Sequence, residues 1–300
     1  MSVTAPARSF LFVPADSDRK LAKALTLGAD VLIFDLEDAV LPAQKPQARN
    51  TLAAFLDAYE APAQAWVRVN DLATGETLHD LMVAVHPKVR GVVLPKILGP
   101  ECIQQLAHYL DMAETARGLP LGHTRIIAVC TETPAAVLRM NELSRLQQPR
   151  LSGLMWGGED LSAAMGAGDP RLPDGRWRAT FVHARHQCLM LAHTLGVEAI
   201  DTVFVDFRDP EGCAANAAEA RHDGFTGKVA IHPSQVDIIN RGFSITDDER
   251  AYAQRVIDAL SQGAGAVALD GKMIDVPHLK QAQRVLARYA AQVSHQEPSS

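Results

Sequence analysis

Eight short apolar runs, each followed by a helix-compatible stretch, constrain the fold of this chain more than any other feature. They are Arg8–Val13 (RSFLFV), Asp30–Asp35 (DVLIFD), Ala65–Val69 (AWVRV) and Gly91–Pro95 (GVVLP), then Arg125–Val129 (RIIAV), Gly153–Gly157 (GLMWG), Asp201–Val205 (DTVFV) and Gly227–Ile231 (GKVAI). A strand with one wet face alternates apolar and polar residues. Near-continuous apolar runs instead mark strands buried on both faces, as in parallel sheets covered by helices. Eight of them alternating with helices predict a (β/α)8 TIM barrel in the α/β class. The 300 residues exceed the roughly 250 that one such barrel needs. The surplus lies in a Gly/Pro/Asp-rich excursion between Asp160 and Glu198 and in a C-terminal portion beyond the eighth run. The expected division is a barrel over residues 1–240 and a helical extension over residues 241–300.

Local signals punctuate the helices. Ser17 is placed to cap a helix running through Leu21 to a stop at Gly28. Thr246 followed by Glu249 has capping-box spacing, and Pro277 sits in the first turn of a last helix. Two C-terminal helices are expected, joined by QGAGAVALDGKMIDVP, with a Ser/Pro tail at Glu297–Ser300.

Thirty-five acidic against 29 basic side chains give a net charge of −6, which excludes a general nucleic-acid binder. No apolar run approaches the ~20 residues that span a bilayer. The first ten residues lack the basic region, long apolar stretch and cleavage site of a signal peptide. Cys102, Cys130, Cys188 and Cys213 lie far apart without a CxxC pair, so neither a disulfide framework nor a zinc finger is indicated. A cytoplasmic enzyme is the expectation.

Barrel chemistry sits at the C-terminal ends of strands, and here those ends are rich in functional groups. They carry Asp35, Glu37 and Asp38, Arg68 and Asn70, Lys96, Thr131 and Glu132, Glu159 and Asp160, and His232. Glu132 and Asp160 follow neighbouring strands about 4.8 Å apart, near enough to share one cation. An all-oxygen donor pair favours Mg2+, with Mn2+ as a substitute. The plain alternative is a pair of solvated acids; without a metal, crowded carboxylates retain a proton. Arg68 suits a carboxylate or enolate oxygen, or a structural ion pair with Asp35 or Glu37. Lys96 invites a Schiff-base reading. His232 fits a general base, a substrate hydrogen bonder or a packed side chain.

In order and spacing, RSFLFVPAD, GADVLIFDLEDAV, VRVN, LPK, TETPAAV, GGEDLSA, AIDTVF, GKVAIHPSQ and GKMIDVPHLKQAQ resemble the citrate lyase β-subunit-like branch of the HpcH/HpaI aldolase superfamily. Ala15 departs from it, since glycine often follows the proline there. The resemblance implies a Mg2+-dependent carbon–carbon lyase, usually a homotrimer or hexamer. It would cleave a β-hydroxyacyl-CoA thioester such as malyl-, citramalyl- or citryl-CoA to a 2-oxoacid and acetyl-CoA. It further implies Glu132 and Asp160 as metal ligands and Arg68 as the substrate arginine. Asp35, Glu37 and Glu159 form the surrounding acids, while Phe12, Arg19, Lys23, Ile231 and His232 contact substrate or CoA. Asp275 is the acid donated to a neighbouring subunit's site, and it also suits a cap for the last helix. Competing expectations are a class II aldolase acting on free 2-oxoacid aldols, a noncatalytic subunit, and a subunit of a citrate lyase complex.

Overall fold

The computed structural model of the protein describes residues 6–173, 175–261 and 265–294. The tail at Glu297–Ser300 and part of the expected QGAGAVALDGKMIDVP connection lie outside them.

Eight parallel strands close into a barrel in strict chain order. They are β1 (Ser9–Pro14), β2 (Val31–Asp35), β3 (Gln64–Arg68), β4 (Val89–Leu94), β5 (Arg125–Val129), β6 (Leu151–Met155), β7 (Glu198–Asp201) and β8 (Gly227–Ala230). Around them run α1 (Asp18–Ala24), α2 (Lys45–Asp57), α3 (Thr77–Ala84), α4 (Pro100–Ala116), α5 (Pro134–Leu143), α6 (Gly158–Met165), α7 (Ala179–Leu195), α8 (Pro210–Asp223) and α9 (Pro233–Phe243). The barrel is filled from inside by large side chains from alternate positions, among them Phe10, Ile33, Trp66, Ile127, Met155 and Val229. That alternation is what turns Asp35, two residues after Ile33, and Arg68, two after Trp66, toward the barrel interior at its C-terminal end.

Seven of the eight expected strands lie within a few residues of where the apolar runs put them. The seventh is displaced: Glu198–Asp201 forms β7, pairing Ile200 with Gly227, and Thr202–Val205 continues beyond it as loop. Two of the expected N-caps form, while α1 ends at Ala24 with Leu25 as its C-cap, short of the expected stop at Gly28. The Ser17 side chain accepts from the Lys20 N–H, and Thr246 with Glu249 forms a full capping box. Pro277 occupies the first turn of the last helix.

The chain divides into two compact units, one over Ala7–Gly242 and one containing the chain from Phe243 onward. In the second, α10 (Asp247–Leu260) and α11 (Val276–Ser294) pack on a small apolar core of Ala253, Val256, Leu260, Ile274 and Ala282. Between them stands a hairpin, β9 (Ala266–Leu269) and β10 (Lys272–Asp275), where only a connection was expected. Among the described residues no helix is long and apolar enough to cross a membrane.

Candidate active site

At the C-terminal end of the barrel, Arg68 is clamped by acids. Its Nε donates to Asp35 Oδ1 across 2.7 Å and its Nη2 to Asp35 Oδ2 across 2.5 Å, a planar fork on a carboxylate. Asp35 is 1% exposed, and its oxygens also accept the N–H groups of Glu37 (2.9 Å) and Ala39 (3.1 Å). Phe12 lies under the guanidinium, its ring centre 4.5 Å from Cζ. Arg68 Nη1 is 3.0 Å from Glu37 Oε2, yet that buried oxygen has no well-directed hydrogen bond. The structural ion pair considered for Arg68 therefore exists, and Asp35 is a positioning carboxylate rather than a free acid.

Lys96 binds this group from the next strand. Its ammonium donates to Glu37 and lies 3.3 Å from Asp38, and the acids raise its pKa against the opposing effect of burial. An ammonium shared between two carboxylates is a poor nucleophile, which speaks against the Schiff-base reading. The Lys96 backbone has φ +54°, a left-handed conformation uncommon for a side chain of this size. From there its N–H donates to Glu132 Oε2.

Glu132 is 3% exposed, and its carboxyl pKa is pushed up to about 8. Burial is the main cause, with the charges of Asp160 and Glu37 adding to it. The retained proton expected from crowding is thus present in direction, though desolvation contributes more than crowding. Gly157 gives Glu132 its room: a Cβ there would lie 2.6 Å from Glu132 Cγ. The Gly157 N–H donates to Thr131 Oγ1 across 2.9 Å, tying the end of β5 to the start of α6. Asp160 lies in the first turn of α6, half-buried.

Arg68 and Lys96 face Asp35, Glu37, Asp38 and Glu132, and Asp160 adds its charge to that of Glu132, so full ionisation leaves an excess of negative charge. A hard divalent cation fits this donor set. Among the described residues no three His, Cys, Asp or Glu side chains converge on one point. A cation here takes two carboxylates at most, with water and substrate oxygens completing its shell, as Mg2+ commonly does.

The other expected residues occupy separate places. Glu159 pairs with Arg171 across 3.0 Å. Arg19 and Lys23 lie one turn apart and exposed on α1, and neither makes an ion pair among the described residues. After β8, the N–H groups of Ile231 and His232 both donate to the buried Gln235 side chain. The His232 ring stacks on Phe207 with centres 4.6 Å apart, and its Nδ1 meets Ser234 Oγ at 2.8 Å. Asp275 belongs to the second unit, at the end of β10, where it meets the His278 ring at 2.6 Å.

Sequence reasoning missed the supports. Lys45 donates to the carbonyls of Leu36 and Glu37, both at 3.1 Å, and to Asn70. Asn70 and Arg49 both bind Asp80, at 2.7 Å each, which steadies the segment carrying Glu37. No spacing rule marks these residues, whose partners come from different elements.

A family model described as HpcH/HpaI aldolase/citrate lyase matches residues 8–233. The chain belongs to this family. It is similar to a citrate lyase subunit beta-like protein of Mycobacterium tuberculosis, 36% identical over 290 residues, covering 96% of this chain and 97% of that one. It is also similar to the mitochondrial citramalyl-CoA lyase of Rattus norvegicus, 32% identical over 304 residues, covering 94% and 85%. Among solved structures, Mycobacterium tuberculosis CitE in complex with magnesium, acetoacetate and coenzyme A superimposes with a TM-score of 0.80 at 33% identity. That match covers 97% of this chain and all of the other. The acids and the arginine described above sit at the C-terminal end of the barrel, the end at which TIM-barrel enzymes generally carry their active sites.

Proposed function

We propose that this chain is a divalent-cation-dependent carbon–carbon lyase that cleaves a β-hydroxyacyl-CoA thioester to a 2-oxoacid and acetyl-CoA. The observation that carries the reading is Glu132: a carboxylate buried to 3% exposure beside Asp160, in a mouth already short of positive charge. Solved relatives from Mycobacterium tuberculosis that hold magnesium with coenzyme A, with oxaloacetate or with pyruvate support the same cofactor and the 2-oxoacid and CoA substrate class.

Cleavage breaks the bond between the hydroxyl-bearing carbon and the carbon next to the thioester. The hydroxyl proton leaves, the C–O bond becomes the oxoacid carbonyl, and the bonding electrons pass into a thioester enolate, which a proton then converts to acetyl-CoA. Glu132 and Asp160 would hold the Mg2+ ion, which when bound would supply Lewis acidity toward the oxoacid. Arg68, locked by Asp35 and stacked on Phe12, presents fixed positive charge where negative charge develops on oxygen. Lys96 donates to Glu37, opposing the burial that pushes that carboxyl up, and directs Glu132 through its N–H. Exposed Arg19 and Lys23 offer two cations to the CoA phosphates, and the Ile231–His232 segment offers an apolar edge to the rest of that cofactor. Asp275 of a neighbouring copy, in a homotrimer or hexamer, serves as the acid/base at the acetyl carbon.

The test is an assay of citramalyl-, malyl- and citryl-CoA with and without EDTA. Metal-dependent release of acetyl-CoA from at least one is expected. Equal turnover of a free hydroxyacid would assign a class II aldolase instead, and no turnover of any substrate would overturn the reading.

A further inference from the structure

The segment between α6 and α7 is fastened to the first turn of α6. Arg171 pairs with Glu159 across 3.0 Å while its guanidinium lies 3.8 Å from the centre of the Trp177 ring. An antiparallel bridge joins the backbones of Arg171 and Trp177. Trp177 meets Trp156 edge-on at 4.9 Å, and the two rings close over Gly158, where a Cβ would lie 2.6 Å from Trp177 and 2.7 Å from Trp156. Trp156 is itself fixed, buried completely with its indole N–H donating to Asp201 across 2.7 Å.

That first turn reads Gly157, Gly158, Glu159, Asp160, and no side chain caps it. Neither of its first two residues can carry a Cβ, because Glu132 approaches Gly157 and the indole pair approaches Gly158. Two successive glycines give a helix start with high conformational freedom to lose and no side chains to hold it. The order must come from outside the turn. The indole ring presses on Gly158, and the Arg171–Glu159 pair holds the next residue, leaving Asp160 as the following position on the same rigid turn. Arg171 also neutralises Glu159, the other carboxylate of the turn and otherwise a competitor for a cation.

We infer that Arg171 and Trp177 are positioning residues for Asp160: they fix the first turn of α6 so that the Asp160 carboxylate stays poised beside Glu132. The inference rests on the reading of Glu132 and Asp160 as cation ligands.

Mn2+ binding without substrate, followed by the paramagnetic resonance of free Mn2+ and by calorimetry, tests it on the full chain, with Tm recorded for each protein. The series is wild type, Asp160→Asn, Arg171→Met, Trp177→Ala and Trp177→Phe. Asp160→Asn is expected to abolish binding. Arg171→Met and Trp177→Ala should weaken it about tenfold or more, as outer partners of metal sites commonly do, while Trp177→Phe stays within about threefold of wild type. Because Arg171→Met removes the partly exposed ion pair and the guanidinium–indole contact but leaves both indole rings in place, it decides the matter if Trp177→Ala fails to fold. Wild-type affinity in Arg171→Met, with binding lost in Asp160→Asn, would overturn the latch alone. Absence of Mn2+ binding in wild type, or its persistence in Asp160→Asn, would overturn the cation-site reading and the latch with it.

Discussion

Glu132 and Gly157 are packed so closely that a single added carbon on Gly157 would lie 2.6 Å from Glu132 Cγ. Glu132 has little freedom to retreat, because the Lys96 N–H holds its carboxylate from the other strand. Gly157→Ala is therefore expected to displace the carboxylate, costing about 1–3 kcal/mol of stability by overpacking. It should lower kcat/KM at least about tenfold, a loss of about 1.4 kcal/mol in transition-state stabilisation. Steady-state kinetics with calorimetric unfolding checks this; wild-type kinetics would show that Glu132 tolerates movement.

Lys96 stays protonated between Glu37 and Asp38, so it forms no imine. Borohydride added with a 2-oxoacid is expected to leave the protein mass unchanged and the activity intact. A mass increase mapped to Lys96 would contradict the structure's account of that side chain.

A third prediction comes from the barrel wall. Lys228, 0% exposed, donates to Asp201 Oδ2 across 2.7 Å, while Arg185 reaches Oδ1 at 3.1 Å. Burial alone would raise the Asp201 pKa, but Lys228 and Arg185 outweigh it and hold the carboxyl below its usual range. A depressed carboxylate adds stability above its unfolded pKa of about 3.9, and that stability is lost as pH falls through the folded value. Lys228→Met should cost about 3–5 kcal/mol at neutral pH, since it strands half of a buried pair. The cost should shrink as the pH falls from about 4 toward the lower folded value, where protonation ends what the Asp201 carboxylate gains from its partner. Tm measured from pH 3 to 7 decides; a cost independent of pH would show that the charge on Asp201 is not what Lys228 answers.

Arg19→Glu reverses one exposed cation on α1. KM for CoA esters is expected to rise, by more at low salt than at high, with turnover of any accepted free hydroxyacid unaffected. Equal effects on both substrates would remove α1 from the CoA site.

The barrel was legible because parallel strands buried on both faces leave apolar runs, and most of the polar groups gathered at its C-terminal end followed from reading which residues end those runs. β7 shows the limit. Thr202–Val205 is as apolar as any strand, but the β7 ladder is set by the pairing of Ile200 with Gly227, and Val205 is left 45% exposed. The β9–β10 hairpin does carry a signal: Asp270-Gly271 between apolar stretches, with φ of +51° and +74°, is a favoured two-residue turn. Arg171, Trp177, Lys45 and Asp80 had no comparable signal. Their roles arise from contacts between separate elements, which neither periodicity nor capping rules report.

The most direct test is a crystal of the protein soaked with Mn2+, measured for anomalous scattering. One peak between the Glu132 and Asp160 carboxylates, with the remaining coordination filled by water, is the predicted result. A peak elsewhere, or none in crystals where those two side chains are well ordered, would contradict it.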